Sequence, residues 1–147
     1  MLIKSQVTES MKDAMRAKDK ERLGVIRLIL SDFKQEEVDT RIELTDQRCL
    51  EIMDGMLKRR RESIRLYSDA KREDLAQKEQ FEIEVIQDFM PHPLDEGEVQ
   101  SMIEGAIAQL SATSIKDMGK VMAHLKPQLQ GRADLAVVGL KVKDLLS

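Results

Sequence analysis

The stretch "FMPHPL", residues 89–94, holds two of the chain's three prolines. A proline has no amide hydrogen, and its ring clashes with the carbonyl four residues back. The residue before it is pushed toward extended backbone. A helix therefore cannot run through Pro91 and Pro93. On both sides of this joint the apolar residues recur at spacings of three and four, which is helical. The chain reads as all-α: a helical N-terminal domain over 1–90, a Pro-x-Pro joint over 91–94, and a three-helix C-terminal domain over 95–147. Composition agrees. Nine Met stand beside three Phe, one Tyr and no Trp, so flexible thioethers would fill the gaps between helices that aromatic rings fill elsewhere.

Seven helices are expected. The first covers about 2–18, with Ile3, Val7, Met11 and Ala14 on one face. The second covers about 20–37, through Leu23, Ile26, Leu30 and Phe33, and a polar loop "EVDTRIEL" comes after it. Thr45 or Asp46 caps a third helix that reaches about Tyr67. The fourth runs from about Glu73 to Phe89. Past the joint, Asp95 and Glu98 form a D-x-x-E capping box for a fifth helix carrying Val99, Met102, Ile103, Ala106, Ile107 and Leu110. The sixth runs from about Ile115 to His124, where Pro127 ends it, and the seventh from about Leu135 to Leu146.

Several function classes lose support. Cys49 is the single cysteine, so no disulfide forms within the chain. That fits a reducing cytoplasm, the expected location. No run approaches the roughly 18 apolar residues of a membrane span. The net charge of -3 places no overall demand for nucleic acid, so any electrostatic footprint must be local. No Walker-type loop, H-E-x-x-H or Cys-x-x-Cys is present. No catalytic residue, metal site or cofactor site is assigned. A thiol dyad of Cys49 with His92 or His124 is the minor reading beside a buried structural cysteine.

"KRRRES", residues 58–63, looks like a nucleic-acid patch, but helix geometry divides it. Successive residues turn by about 100°. With Leu50, Met53, Leu57 and Ile64 defining the buried stripe, Arg60 falls inside the arc and Arg61 at its edge, while Lys58 and Arg59 point outward. On the fourth helix Glu82 projects from the apolar face, with Glu79 at its border. Helices joined by a short turn pack antiparallel, which sets positions near 60 opposite positions near 80. The expectation is an Arg60–Glu82 ion pair, partly buried, and a looser Arg61–Glu79 pair, because an unpaired buried charge is costly. Lys58, Arg59, Arg65, Lys71 and Arg72 form an outward basic set. Its first reading is a solvated face, and its second is phosphate contact.

The segment "KDMGKVMAHLKPQLQGRADL", residues 116–135, asks for a similar division. On a wheel, Ile115, Met118, Met122 and Leu125 form the buried face with Gly119 among them. Gly139 is similarly placed in the last helix, so the two glycines would let helices approach closely. Gly131 suits a turn that needs positive φ, and Asp134 caps the seventh helix. Lys116, Lys120 and His124 make one outward stripe, flanked by Asp117, with Lys126 and Arg132 in the turn; its first reading is a solvated face, and its second is a functional contact.

The quoted pieces "MKDAMRAKDKERLGVIRLIL", "KRRRESI", "REDLAQKE", "FMPHPL", "DMGKVM" and "GRAD" together resemble the YqeY-like, or GatB/YqeY, family nearly end to end. The C-terminal part is also similar to the tail of the B subunit of glutamyl/aspartyl-tRNA amidotransferase, through Met118-Gly119-Lys120-Val121-Met122 and Gly131-Arg132-Ala133-Asp134. The resemblance implies a helical N-terminal domain, a three-helix C-terminal domain, and a link to carbon–nitrogen ligation with glutamine as amide donor. It also implies tRNA contact, since the subunit's tail contacts tRNA. The chain lacks the subunit's catalytic body. The implied role is a non-catalytic accessory to tRNA or other structured RNA, through Lys116, Lys120, His124, Lys126 and Arg132, extended by Lys58, Arg59 and Arg65. The alternative is a module that docks on another protein through Val137 and Leu140, which point away from the last helix's apolar stripe. No membrane association is expected.

Overall fold

A computed structural model describes residues 2–147. These fold as seven α-helices and one short 3-10 turn: α1 (Ile3–Ala17), α2 (Lys20–Thr40), α3 (Asp46–Asp69), α4 (Glu73–Gln87), α5 (Glu96–Gln109), the turn Ile115–Asp117, α6 (Met118–Leu129) and α7 (Leu135–Leu146). The chain divides into two compact units, one ending at Pro91 and the other spanning His92–Ser147. Each has its own apolar core.

In the first unit, α1 packs on α2, and α3 and α4 share the most extensive contact. Val7, Ile26, Ile29, Phe33, Met53, Met56 and Ile86 are fully buried at the centre. The stripes differ by a residue here and there from the simplest wheel. In α2, Val25 and Ile29 are deeper than Leu23 and Leu30, because α2 is held by α1, α3 and α4 rather than by one neighbour. Side-chain caps open α2, α3 and α5, as one also opens α7. The Asp19 side chain accepts from the Arg22 amide at the start of α2, and Thr45 accepts from Arg48 at the start of α3. Asp95 accepts from the Glu98 amide at 2.7 Å. Each satisfies one of the first amides that a helix leaves unpaired.

α2 continues to Thr40, three residues past its expected end. Side chains hold that extra turn. Gln35 donates to Asp39 at 2.8 Å, and the Thr40 hydroxyl donates to the Glu36 carbonyl at 2.8 Å. Glu37 takes the Lys4 ammonium of α1 at 2.6 Å. At the opposite end of the unit, Arg22 ties three elements. Its guanidinium reaches Asp88 at 2.7 Å, donates to the Ser10 hydroxyl at 3.3 Å and lies 5.7 Å from the Phe89 ring centroid.

In the second unit, α6 contacts both α5 and α7. Ile103, Val121, Leu125, Leu129, Val138 and Val142 form its interior. α6 begins and ends later than the apolar spacing predicts. Residues 115–117 form the 3-10 turn, and Pro127 lies inside the last turn of α6 instead of ending it. The helix passes Pro127 because Leu125 and Leu129, one turn apart, are both buried in the core. Gln130, whose amide donates to the Lys126 carbonyl at 2.9 Å, closes it.

Candidate nucleic-acid interface

The basic residues of the second unit sit on a scaffold of backbone bonds. The Asp117 carboxylate accepts the amides of Thr113 at 2.9 Å and Ser114 at 3.4 Å. These two bonds stabilise the charged form and hold the carboxyl below the usual carboxylate range, with Lys120 adding a small pull in the same direction. Asp117 therefore shapes the turn that starts α6. Beyond α6, Gly131 adopts φ 77°, which a residue without Cβ reaches at no steric cost. Arg132 is fixed through its backbone on both sides: its amide donates to the Leu129 carbonyl, and its own carbonyl accepts from the Leu94 amide, each at 2.9 Å. Asp134 then caps α7 by accepting from the Ala136 amide at 3.0 Å. Ala133 packs against the core.

The five cationic candidates of this unit are not equivalent. Lys116 and Lys126 are exposed. Lys120 turns back, its ammonium donating to the Leu110 carbonyl at the end of α5 at 3.2 Å. Cations suit that position, since a helix leaves its last carbonyls unpaired and negative. His124 is half-buried and in contact with Gln128, whose amide lies 3.4 Å from its Nε2 and donates to its carbonyl at 3.3 Å. Arg132 is half-buried, and its Nε is enclosed without an acceptor. The outward stripe is thus narrower than its spacing predicts.

The packing role expected of Gly119 is corrected. Gly119 is exposed, and a Cβ built on it meets no atom within 4 Å. The buried face of α6 is Val121, Leu125 and Leu129, flanked by Met118 and Met122. Ile115 is exposed because the 3-10 turn changes the phase of the wheel before α6 starts. A Cβ built on Gly139 would meet Met118 Cε at 3.8 Å and Met122 Cε at 4.0 Å, not a second glycine.

In the first unit the basic set is largely occupied by acids. Arg60 Nε lies 3.2 Å from Glu82 Oε1, with the two side chains 14% and 12% exposed, and Arg60 Nη1 donates to the Met56 carbonyl. Arg59 reaches Asp32 at 3.4 Å, and Arg65 is held by Glu62 and, at 3.7 Å, by Asp69. Arg61 is exposed, and no ion pair joins it to Glu79 among the described residues. Arg61 lies one residue, about 100°, round α3 from Arg60, which places it outside the α3–α4 seam. Lys58 is exposed and makes no ion pair among the described residues. Cys49 is buried in the core, and burial pushes its thiol up to about 11, with Asp46 and Glu37 adding to the shift. That is opposite to what a nucleophilic thiolate requires.

Among the described residues, every ion pair lies in the first unit, between Lys4 and Asp88. The cations of the second unit stand without a carboxylate in contact among those residues. α6 carries Lys120, His124 and Lys126 and no acidic residue. On the outer side of α7, Val137 and Leu140 are 46% and 64% exposed. No helix among the described residues is long and apolar enough to cross a membrane.

A family model described as "Yqey-like protein" matches residues 4–146. The chain is similar to curated proteins called "Altered inheritance of mitochondria protein 41, mitochondrial". The one from Pyrenophora tritici-repentis is 28% identical over 139 residues, covering 92% of this chain and 76% of that protein. The one from Eremothecium gossypii is 37% identical over 87 residues, 58% and 48% of the two chains. The one from Lachancea thermotolerans is 27% identical over 113 residues, 75% and 60% of the two. The match thus spans from about half to three quarters of these relatives' lengths. Their names overturn the expectation of a cytoplasmic location. The physical reason is that one unpaired cysteine and short apolar runs suit any reducing, aqueous compartment and do not select the cytoplasm.

Proposed function

The chain belongs to the Yqey-like protein family, and on that premise we propose that it is an accessory protein that associates with tRNA or another structured RNA through its second unit. The observation that carries this reading is that the exposed cations of the segment sharing the tail resemblance contact no carboxylate among the described residues, whereas the outward arginines of the "KRRRES" helix do. Outward cations of the first unit such as Arg59 and Arg65 already contact carboxylates. Lys116 and Lys126 are exposed with no acid in contact among the described residues. A cation without an internal partner gains most from a phosphate, because displaced counterions supply the free energy. Lys120, His124 and Arg132 act from the same segment, positioned by the bonds described above. No exposed aromatic lies on α6 or α7, so contact is to backbone and shape rather than to stacked bases. The link to glutamine-dependent carbon–nitrogen ligation rests on the tail resemblance, and the proposed part in it is RNA contact without catalysis.

The test is binding of unfractionated tRNA by the full chain across a salt series, with Lys116→Gln/Lys126→Gln as the comparison. The reading expects affinity to fall with salt, and the double variant to show a slope smaller by about two. No binding at low salt, or a slope unaffected by the substitutions, sinks it. A second reading is supported by the exposure of Val137 and Leu140: docking of α7 on a protein partner. Loss of a co-purifying protein in Leu140→Ser, with RNA binding intact, would favour it.

A further inference from the structure

α2 carries a second electrostatic feature, independent of α6. Lys20, Arg27, Lys34 and Arg41 recur at intervals of seven residues, and all four are exposed. Seven residues are close to two helical turns, so Lys20, Arg27 and Lys34 lie along one side of α2 about 10 Å apart. Arg41 carries the spacing on to the C-cap. None of the four makes an ion pair among the described residues.

The carboxylates of the same helix are turned elsewhere and mostly occupied. Asp32 takes Arg59 and Glu36 takes Arg48, both from α3, while Glu37 takes Lys4 from α1. Lys34 pulls weakly on Glu37, whose carboxylate is already bound by Lys4. Asp39 accepts from Gln35. Glu21 and Asp39 are exposed and lie about 100–140° round the helix from Lys20, Arg27 and Lys34. The helix thus directs most of its negative charge to its neighbours and leaves a line of positive charge outward.

We infer that this outer edge of α2 is a contact track for the phosphate backbone of a nucleic-acid duplex. A straight row of cations suits a stiff, rod-like polyanion. Between the first three cations stand Gly24, whose Cβ position is open, and Ser31, and between Lys34 and Arg41 the exposed Val38, so a rod can approach closely over Lys20 to Lys34. The helix's one aromatic, Phe33, is fully buried, which removes the stacking platform that single strands use. The exposed Leu28 and Val38 are separated by Ser31 and Gln35, so no continuous apolar seam exists for a partner helix. A second copy of the same edge would set like charges against each other.

The experiment uses the full chain with 24-base-pair mixed-sequence duplexes of RNA and of DNA, over a salt series. It compares wild type, Arg27→Gln/Lys34→Gln, and Lys116→Gln/Lys126→Gln. The four side chains of the track are exposed, and circular dichroism checks that each variant folds. The α2 variant should lower the slope of log affinity against log salt by about two. Binding of either duplex with that change supports the track, and a preference between them identifies the source of the phosphate. An unchanged slope overturns it. So does competition by poly-L-glutamate as strong as that of duplex at equal charge, which would assign the edge to an acidic protein. If the α2 variant changes the slope and the Lys116/Lys126 variant does not, the track stands and the second-unit reading falls. The reverse pattern removes the track alone.

Discussion

Arg60 on α3 and Glu82 on α4 meet across the most extensive helix contact of the first unit, Nε to Oε1 at 3.2 Å, with both side chains mostly withdrawn from water. Each charge lies within an otherwise apolar stripe and is tolerated there because the other is present. Arg60 is further satisfied by the Met56 carbonyl. Removing one partner leaves the other desolvated and alone, which costs about 3 kcal/mol for a buried pair. Glu82→Ala and Arg60→Glu should each lower the urea midpoint of the first unit accordingly. Arg60→Glu/Glu82→Arg should recover part of the loss. Equal instability in the swapped protein and in the singles would show that the pairing is not what holds this position.

Three glycines of the second unit separate conformational need from packing. Gly119 lies exposed in α6 with free space at its Cβ position, so Gly119→Ala should stabilise the unit by up to about 1 kcal/mol through helix propensity. Gly139→Ala makes only ordinary contacts with two flexible methionine ends and should be tolerated. Gly131 holds φ 77°, and Gly131→Ala should destabilise by roughly 1 kcal/mol or more. Thermal melts of the three variants decide it. A loss at position 119 equal to that at 131 would contradict the geometry.

Asp117 should give the second unit an acid-dependent stability. Its carboxyl is held below the usual range by the amides of Thr113 and Ser114. A depressed folded-state value means the stabilisation is complete above the unfolded carboxylate value and is lost as pH falls through the folded one. The difference in denaturation midpoint between wild type and Asp117→Ala should therefore be largest near neutral pH and shrink in acid below the ordinary aspartate range. A difference that stays constant across that window would rule out the ionised cap as its cause.

How much is legible in advance depends on the kind of signal. Pro91 and Pro93, the caps Thr45, Asp95 and Asp134, and the three-four apolar spacing are local, and they act through covalent geometry and neighbouring amides. Glu82 is visible as a charge inside an apolar stripe, and the short α3–α4 turn points to its partner. Gly119 is misplaced by a wheel that treats residues 115–117 as α-helix, since their 3-10 geometry shifts the phase of α6. The spacing of Lys20, Arg27, Lys34 and Arg41 is present in the sequence, but spacing alone does not separate them from Arg59 and Arg65, which the fold pairs with acids.

The sequence by itself determined an all-helical chain broken at Pro91-His92-Pro93, because periodicity, caps and the missing proline amide act within a few residues. Which cations remain free was decided only by tertiary structure. Arg59, Arg60 and Arg48 find acids that lie 12 to 27 residues away in the chain, and Lys120 turns to a carbonyl ten residues back. Charge in a helix is cancelled by what packs beside it. Only the packed helices show that Lys116 and Lys126, and the row on α2, stand without a carboxylate beside them among the described residues.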